Sequence, residues 1–96
     1  MFVISYQTRA EAADRNQQLV EQVFAQLRDE APEGVRYLTL RLADGSFVHI
    51  ASFDGADTPL TSLSAFAKFQ ADLGERIASP PTRTEATVVG SYGFGE

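Results

Sequence analysis

The chain has no cysteine, which removes disulfides, thiolate metal centres and a cysteine nucleophile from consideration. A chain without staples suits a reducing cytosol, and a cytoplasmic location is the expectation. Tryptophan is also absent, and histidine occurs once, at His49. Only that imidazole has an unperturbed titration near neutrality. Basic residues are scarce: eight Lys and Arg, no two adjacent, against thirteen Asp and Glu, for a net charge of −5. Nucleic acid and anionic membrane surfaces both call for clustered cations, so neither is expected as a partner. No window approaches the roughly 20 apolar residues of a membrane span. The start Met1-Phe2-Val3-Ile4-Ser5 lacks the basic segment and apolar run of a secretory signal.

What is there is the material of a core. Of the 96 residues 44% are hydrophobic, with seven Phe and three Tyr, more than a disordered chain carries. This length suits one domain over residues 1–96. Phe2 to Gln7 reads as a strand. Thr8-Arg9-Ala10-Glu11 has the form of a capping box, opening a helix to about Ala31. Leu19, Val20, Val23, Phe24 and Leu27 make its apolar stripe, with Asp14, Arg15, Gln18, Gln22 and Asp29 on the other side. Pro32-Glu33-Gly34 ends it. Val35 to Leu42 and Ser46 to Phe53 are strands around Ala43-Asp44-Gly45, a hairpin signal. Asp54 to Asp57 is a loop, and Thr58-Pro59 is suited to an N-cap and first helical position. A second helix carries Leu63, Phe66, Ala67, Leu73 and Ile77 on one face and stops at Ser79-Pro80-Pro81. Thr84 to about Tyr92 is the last strand. The order β-α-β-β-α-β predicts an α+β, ferredoxin-like fold. Right-handed crossovers place two helices on one face of a four-stranded antiparallel sheet.

The hairpin register decides which side chains share a face. A two-residue Asp44-Gly45 loop sets Leu42 opposite Phe47. A three-residue loop with Gly45 left-handed sets Leu42 opposite Ser46 and Leu40 opposite Val48. The second register is preferred. It collects Leu38, Leu40, Leu42, Val48 and Ile50 on a wholly apolar face that can pack on the helices without burying an unpaired imidazole. The other face then holds Val35, Tyr37, Thr39, Arg41, Phe47, His49, Ala51 and Phe53. Alternation adds Val3, Ser5 and Gln7 from the first strand, and Thr87, Val89 and Ser91 from the last. So much exposed apolar surface implies a partner. A second copy, sheet face to sheet face, is the economical one.

This chain resembles the dimeric α+β barrel superfamily, and within it the antibiotic-biosynthesis-monooxygenase-like domains. The resemblance lies in length, element order, the hairpin from Arg36 to Ile50, and the Pro59-Leu60 helix start before Phe66-Ala67-Lys68-Phe69. It implies two sheets packed as a barrel and a pocket in each subunit, between sheet and helices or near the barrel rim. Members include cofactor-free oxygenases of polycyclic phenols, quinol oxidases and haem-degrading enzymes. The haem-degrading members use a first-strand Asn, a Trp and a helix-borne His. This chain has Ser5 or Gln7, no Trp, and its histidine on a strand, so it departs from them.

On this reading the protein is monooxygenase-like, with no cofactor and a small aromatic phenol or quinol as ligand. His49 is the candidate base for a phenolic proton and Arg41 a candidate orienting cation. Tyr37, Thr39, Phe47, Phe53, Phe66, Ser5 and Gln7 are candidate substrate contacts. The alternatives are a ligand-binding barrel without chemistry, or a structural dimer in which His49 is packed and satisfied by Thr39 or backbone. A cavity of a few hundred Å³ touching His49 separates the first two from the third. Other chemistries are poorly served. There is no G-x-S-x-G elbow for a hydrolase triad, Asp54, Asp57 and His49 match no metal-loop spacing, and no helix follows Gly90, Gly93 and Gly95 to hold a phosphate.

Overall fold

The computed structural model describes residues 1–54 and 59–94. Strand β1 (Phe2–Gln7) leads through a 3₁₀ turn (Ala10–Ala12) into α1 (Ala13–Glu30). Strands β2 (Val35–Arg41) and β3 (Ser46–Phe53) form the hairpin. A 3₁₀ turn (Pro59–Ser62), α2 (Ser64–Ala71) and α3 (Leu73–Arg76) follow, and β4 (Thr82–Glu85) closes the order. The sheet runs β2-β3-β1-β4, with every neighbouring pair antiparallel. This is the ferredoxin-like α+β arrangement. Among the described residues no helix is long and apolar enough to cross a membrane.

The three-residue loop is the one formed. Leu40 faces Val48 and Leu38 faces Ile50. The Leu42 N–H donates to Ser46 O at 2.8 Å, and Gly45 takes φ +86°, a left-handed geometry that an L side chain adopts only with strain. The faces, however, are the reverse of the expectation. Phe47 (1% exposed), His49 (4%) and Ala51 point at the helices, whereas Leu38 (46%), Leu40 (43%) and Leu42 (43%) are exposed on the open side. Opposite residues of an antiparallel pair share a face, so Phe2, Ile4 and Tyr6 join His49 on the covered side. Val3, Ser5 and Gln7 lie on the open one. The premise that an imidazole beneath the helices would stand unpaired fails, because Tyr6, Tyr37 and Thr39 all reach it.

The α1 stripe packs as patterned: Leu19, Val20 and Val23 are buried with Tyr6, Phe47, Leu60, Leu63 and Phe69, while Phe24 and Leu27 pack against them. Three local expectations yield to tertiary partners. The capping box does not form, since the Thr8 hydroxyl donates to Gly45 O at 3.0 Å and the helix opens as a 3₁₀ turn without a side-chain cap. The second helix is broken, with Leu63 extended before α2 and Asp72 at φ −115° between α2 and α3. Its phase therefore buries Phe69 and leaves Ala67 exposed. Thr58 and the loop residues 55–57 lie outside the described residues. The last strand is shorter and earlier than expected. Its ladder to β1 ends where the Ala86 N–H donates to Met1 O at 2.9 Å. Thr87, Val89 and Ser91 thus stand outside β4, and Val89 is 99% exposed.

Candidate functional site

His49 sits in the middle of β3 under the helices, and its two ring nitrogens are both occupied. Nε2 lies 2.7 Å from the Tyr6 hydroxyl; Nδ1 lies 2.8 Å from the Tyr37 hydroxyl and 3.1 Å from Thr39 Oγ1. Thr39 is its cross-strand partner on β2. The ring stacks on Tyr6 at 5.3 Å between centroids and meets Tyr37 edge-on at 5.9 Å.

The network continues away from the imidazole. Asn16, wholly buried on α1, donates from Nδ2 to the Tyr6 hydroxyl at 3.0 Å. Asn16 Oδ1 accepts from Arg76 Nε at 2.9 Å. The Arg76 guanidinium also donates to Phe69 O and lies 5.2 Å from the Phe69 ring centroid. Among the described residues no carboxylate pairs with it. Burial weighs against the charge of Arg76, partly offset by the nearby Tyr6 and Asp72.

Donor bookkeeping along this chain assigns the histidine tautomer. Arginine has donors only, so Asn16 must turn its carbonyl to Arg76 and its NH₂ to Tyr6. The Tyr6 oxygen then accepts from Asn16 and gives its single proton to His49 Nε2. The imidazole proton therefore sits on Nδ1, directed at Thr39 and Tyr37. Burial lowers the His49 pKa from 6.5 to about 4, which keeps the ring neutral at physiological pH. Burial likewise raises Tyr6 and Tyr37 to about 12. Three neutral groups, all with lone pairs or protons to share, are held together in an apolar setting.

They form one wall of a cavity of about 230 Å³ between the sheet and α2–α3. Ile4, Ala51 and Phe53 make its floor, Phe66, Phe69, Gln70 and Leu73 of α2–α3 its roof, and Pro81 and Arg83 its β4 side. Of the expected contacts, Tyr37, His49, Phe53 and Phe66 line it. Thr39 is one hydrogen bond behind His49, and Phe47 is packed in the core below. Ser5 and Gln7 are on the far face of the sheet, and Gln7 donates to Asp44 O. Arg41 is engaged elsewhere, by Asp14 at 3.0 Å and Gln17 at 2.7 Å.

Tyr6, Asn16 and Arg76 were not anticipated from the sequence. A signal for one existed: Asn16 falls three and four residues before Leu19 and Val20, so it occupies the apolar stripe, where a polar side chain implies a buried partner. Among the described residues no cluster of three or more His, Asp or Glu could hold a metal ion.

A four-stranded sheet, helices on one face and a polar-ended cavity between them define a ferredoxin-like α+β domain with an internal ligand-sized space. No family model matches the chain, and no curated protein sequence does. Solved structures share its fold. Rv0793 from Mycobacterium tuberculosis superposes with a TM-score of 0.74 at 18% identity, over 95% of this chain and 96% of that one. A Nitrosomonas europaea protein, provisionally designated an antibiotic biosynthesis monooxygenase, gives 0.73 at 11%, over 86% and 83%. SnoaB from Streptomyces nogalater, a cofactor-independent oxygenase, gives 0.62 at 20%, over 91% of each chain. The chain shares the ferredoxin-like α+β fold of these solved structures.

Proposed function

We propose that the protein is a cofactor-independent, monooxygenase-like enzyme that takes a small phenolic or quinol aromatic into the cavity beneath α2–α3. The observation that carries this reading is the partly open apolar cavity with His49, Tyr6 and Tyr37 at one wall. In the Nδ1–H tautomer the free lone pair of the imidazole faces Tyr6, so Tyr6 is the relay. A substrate hydroxyl donates to the second lone pair of Tyr6 Oη, and the Tyr6 proton passes to His49 Nε2. Thr39 and Tyr37 hold Nδ1–H throughout.

The burial that holds the imidazole at about 4 also opposes a phenolate in the same space, as it does for Tyr6 and Tyr37, so proton transfer is uphill and the ion pair is a minor species. Attraction between phenolate and imidazolium offsets part of that cost, and acidic phenols gain most. With a phenol or anthrone whose para position is free, the phenolate then supplies the electrons: the carbon para to oxygen becomes C=O, one atom of O₂ entering the product and the other leaving as water. A quinol, whose para carbon already bears oxygen, instead goes to the quinone as O₂ becomes hydrogen peroxide. The substrate is the sole reductant.

Oxygen uptake with a panel of anthrones and quinols tests this, with His49→Ala and Tyr6→Phe as comparisons. Turnover that falls at least tenfold in both supports the relay. No turnover across the panel, or turnover indifferent to both substitutions, refutes it. Saturable binding without oxygen uptake favours the alternative, a binding protein with the same cavity.

The open sheet face supports a homodimer. Leu38, Leu40 and Leu42 stand exposed there, with Val48 and Ile50 opposite them and Val3 alongside. A contiguous apolar face of this kind is characteristic of an interface, and a second copy related by a two-fold axis covers both at once. Sedimentation of wild type and Leu40→Lys should show a dimer that weakens in the variant. A monomer mass at every wild-type concentration refutes it.

A further inference from the structure

The cavity has a second polar end, formed by Arg83. The sheet register sets Thr39, His49, Ile4 and Arg83 in one row running from β2 to β4. Members of such a row share a face, so Arg83 is carried on the side of the sheet that His49 occupies. Two strand spacings separate these two residues, about 9–10 Å, and Ile4 lies between them as apolar floor. Both line the cavity.

Arg83 sits at the exposed edge strand, with its guanidinium 4.1 Å from the Phe2 ring centroid. Among the described residues it has no ion-pair partner. Glu85, two residues on and on the same face of β4, does not close on it. In a chain of net charge −5, the cavity thus runs from a neutral hydroxyl-imidazole wall to a cation that rests on Phe2 and has no carboxylate partner among the described residues. At an interior packing density of about 0.74 the space accepts about 170 Å³ of ligand, the bulk of two fused rings with substituents.

We propose that the ligand is an aromatic carboxylic acid: its ring between Ile4 and the Phe66–Phe69 roof, its hydroxyl on Tyr6, and its carboxylate on Arg83. This rests on the reading of the cavity as a ligand site and adds the acidic class. The planar fork of arginine suits a carboxylate better than a neutral acceptor. Because Arg83 is exposed, the gain is small, about three- to fivefold in affinity.

The probes are 6-hydroxy-2-naphthoate and its neutral carboxamide, titrated against the full chain by fluorescence. Wild type should prefer the carboxylate by about three- to fivefold, and the preference should shrink in 0.5 M salt. Arg83→Gln should abolish the preference, weakening the carboxylate by more than it weakens the carboxamide; circular dichroism confirms that the edge strand tolerates it. Glu85→Gln should raise the preference by removing a competing charge. Equal binding of the two probes to wild type, or a preference that survives Arg83→Gln, overturns the proposal alone. Binding of neither overturns it together with the cavity reading.

Discussion

Acidification should destabilise this protein through His49 before Asp44 contributes. The imidazole is held neutral, with a folded pKa of about 4 against 6.5 for the ordinary group, because burial opposes its charge. Above pH 6.5 folded and unfolded chains both carry it neutral, and the native state keeps the full benefit. Between 6.5 and about 4 the unfolded chain takes up the proton and the folded one does not. Stability therefore rises with pH across that window and is lost as pH falls. The total is roughly 3 kcal/mol, with a slope approaching 1.4 kcal/mol per pH unit near its middle. That is a large share of the 5–15 kcal/mol typical of a domain. Asp44 is held below its ordinary value mainly by the Ser46 hydroxyl, so its contribution is lost at more acid pH than that of His49. Urea unfolding at fixed protein concentration, from pH 7.5 to 4, measures the slope. His49→Gln is the comparison, since an amide can accept from Tyr6 and donate toward Thr39 without titrating. The slope of wild type minus that of the variant should carry the effect. Identical slopes, or an imidazole NMR titration centred near 6.5, would refute the reasoning.

The tautomer assignment makes a second prediction. Asn16→Asp replaces the amide donor with an acceptor that takes both Arg76 Nε–H and the Tyr6 hydroxyl proton. Tyr6 then accepts from His49, and the imidazole proton moves to Nε2. Long-range ¹H–¹⁵N correlation should report Nδ1–H in wild type and Nε2–H in the variant; the same tautomer in both would sink the donor assignment. Two glycines should differ in their tolerance of alanine. Alanine at Gly45 (φ +86°) or Gly34 (φ +75°) would bear a left-handed strain of about 1–2 kcal/mol, but a Cβ at Gly34 would also meet Asp54 Cβ at 2.9 Å, against 3.5 Å to the end of Gln7 at Gly45. Gly34→Ala should be the more destabilising in thermal unfolding, and the reverse order would contradict the geometry. Phe47→Ala should cost about 3–5 kcal/mol in denaturant unfolding, whereas the same residue on an open face would cost under 1 kcal/mol.

How much was legible follows from the range of the forces. Periodicity and punctuation sufficed for the element order, the α1 stripe from Leu19 to Leu27 and the left-handed turn at Gly45, because each is set by residues a few positions apart. The same holds for the hairpin pairing of Leu40 with Val48. Alternation then defines two faces, but nothing within the hairpin says which one the helices cover. That choice belongs to Tyr6, brought beside His49 by β1 pairing, and to Asn16, brought above Tyr6 by α1. Once these satisfy the imidazole, the bulkier aromatic face packs beneath the helices and the leucine face is left open. The capping box at Thr8 failed for a related reason, since Gly45, 37 residues away, offered the hydroxyl a better partner.

The sequence by itself determined an α+β chain of four strands, one titrating imidazole, and a sheet with one uncovered apolar face. Only the tertiary structure decided which face that is, and with it that His49 lines a cavity rather than an open surface. The physical reason is that the cost of burying a polar side chain depends on partners that arrive from distant segments.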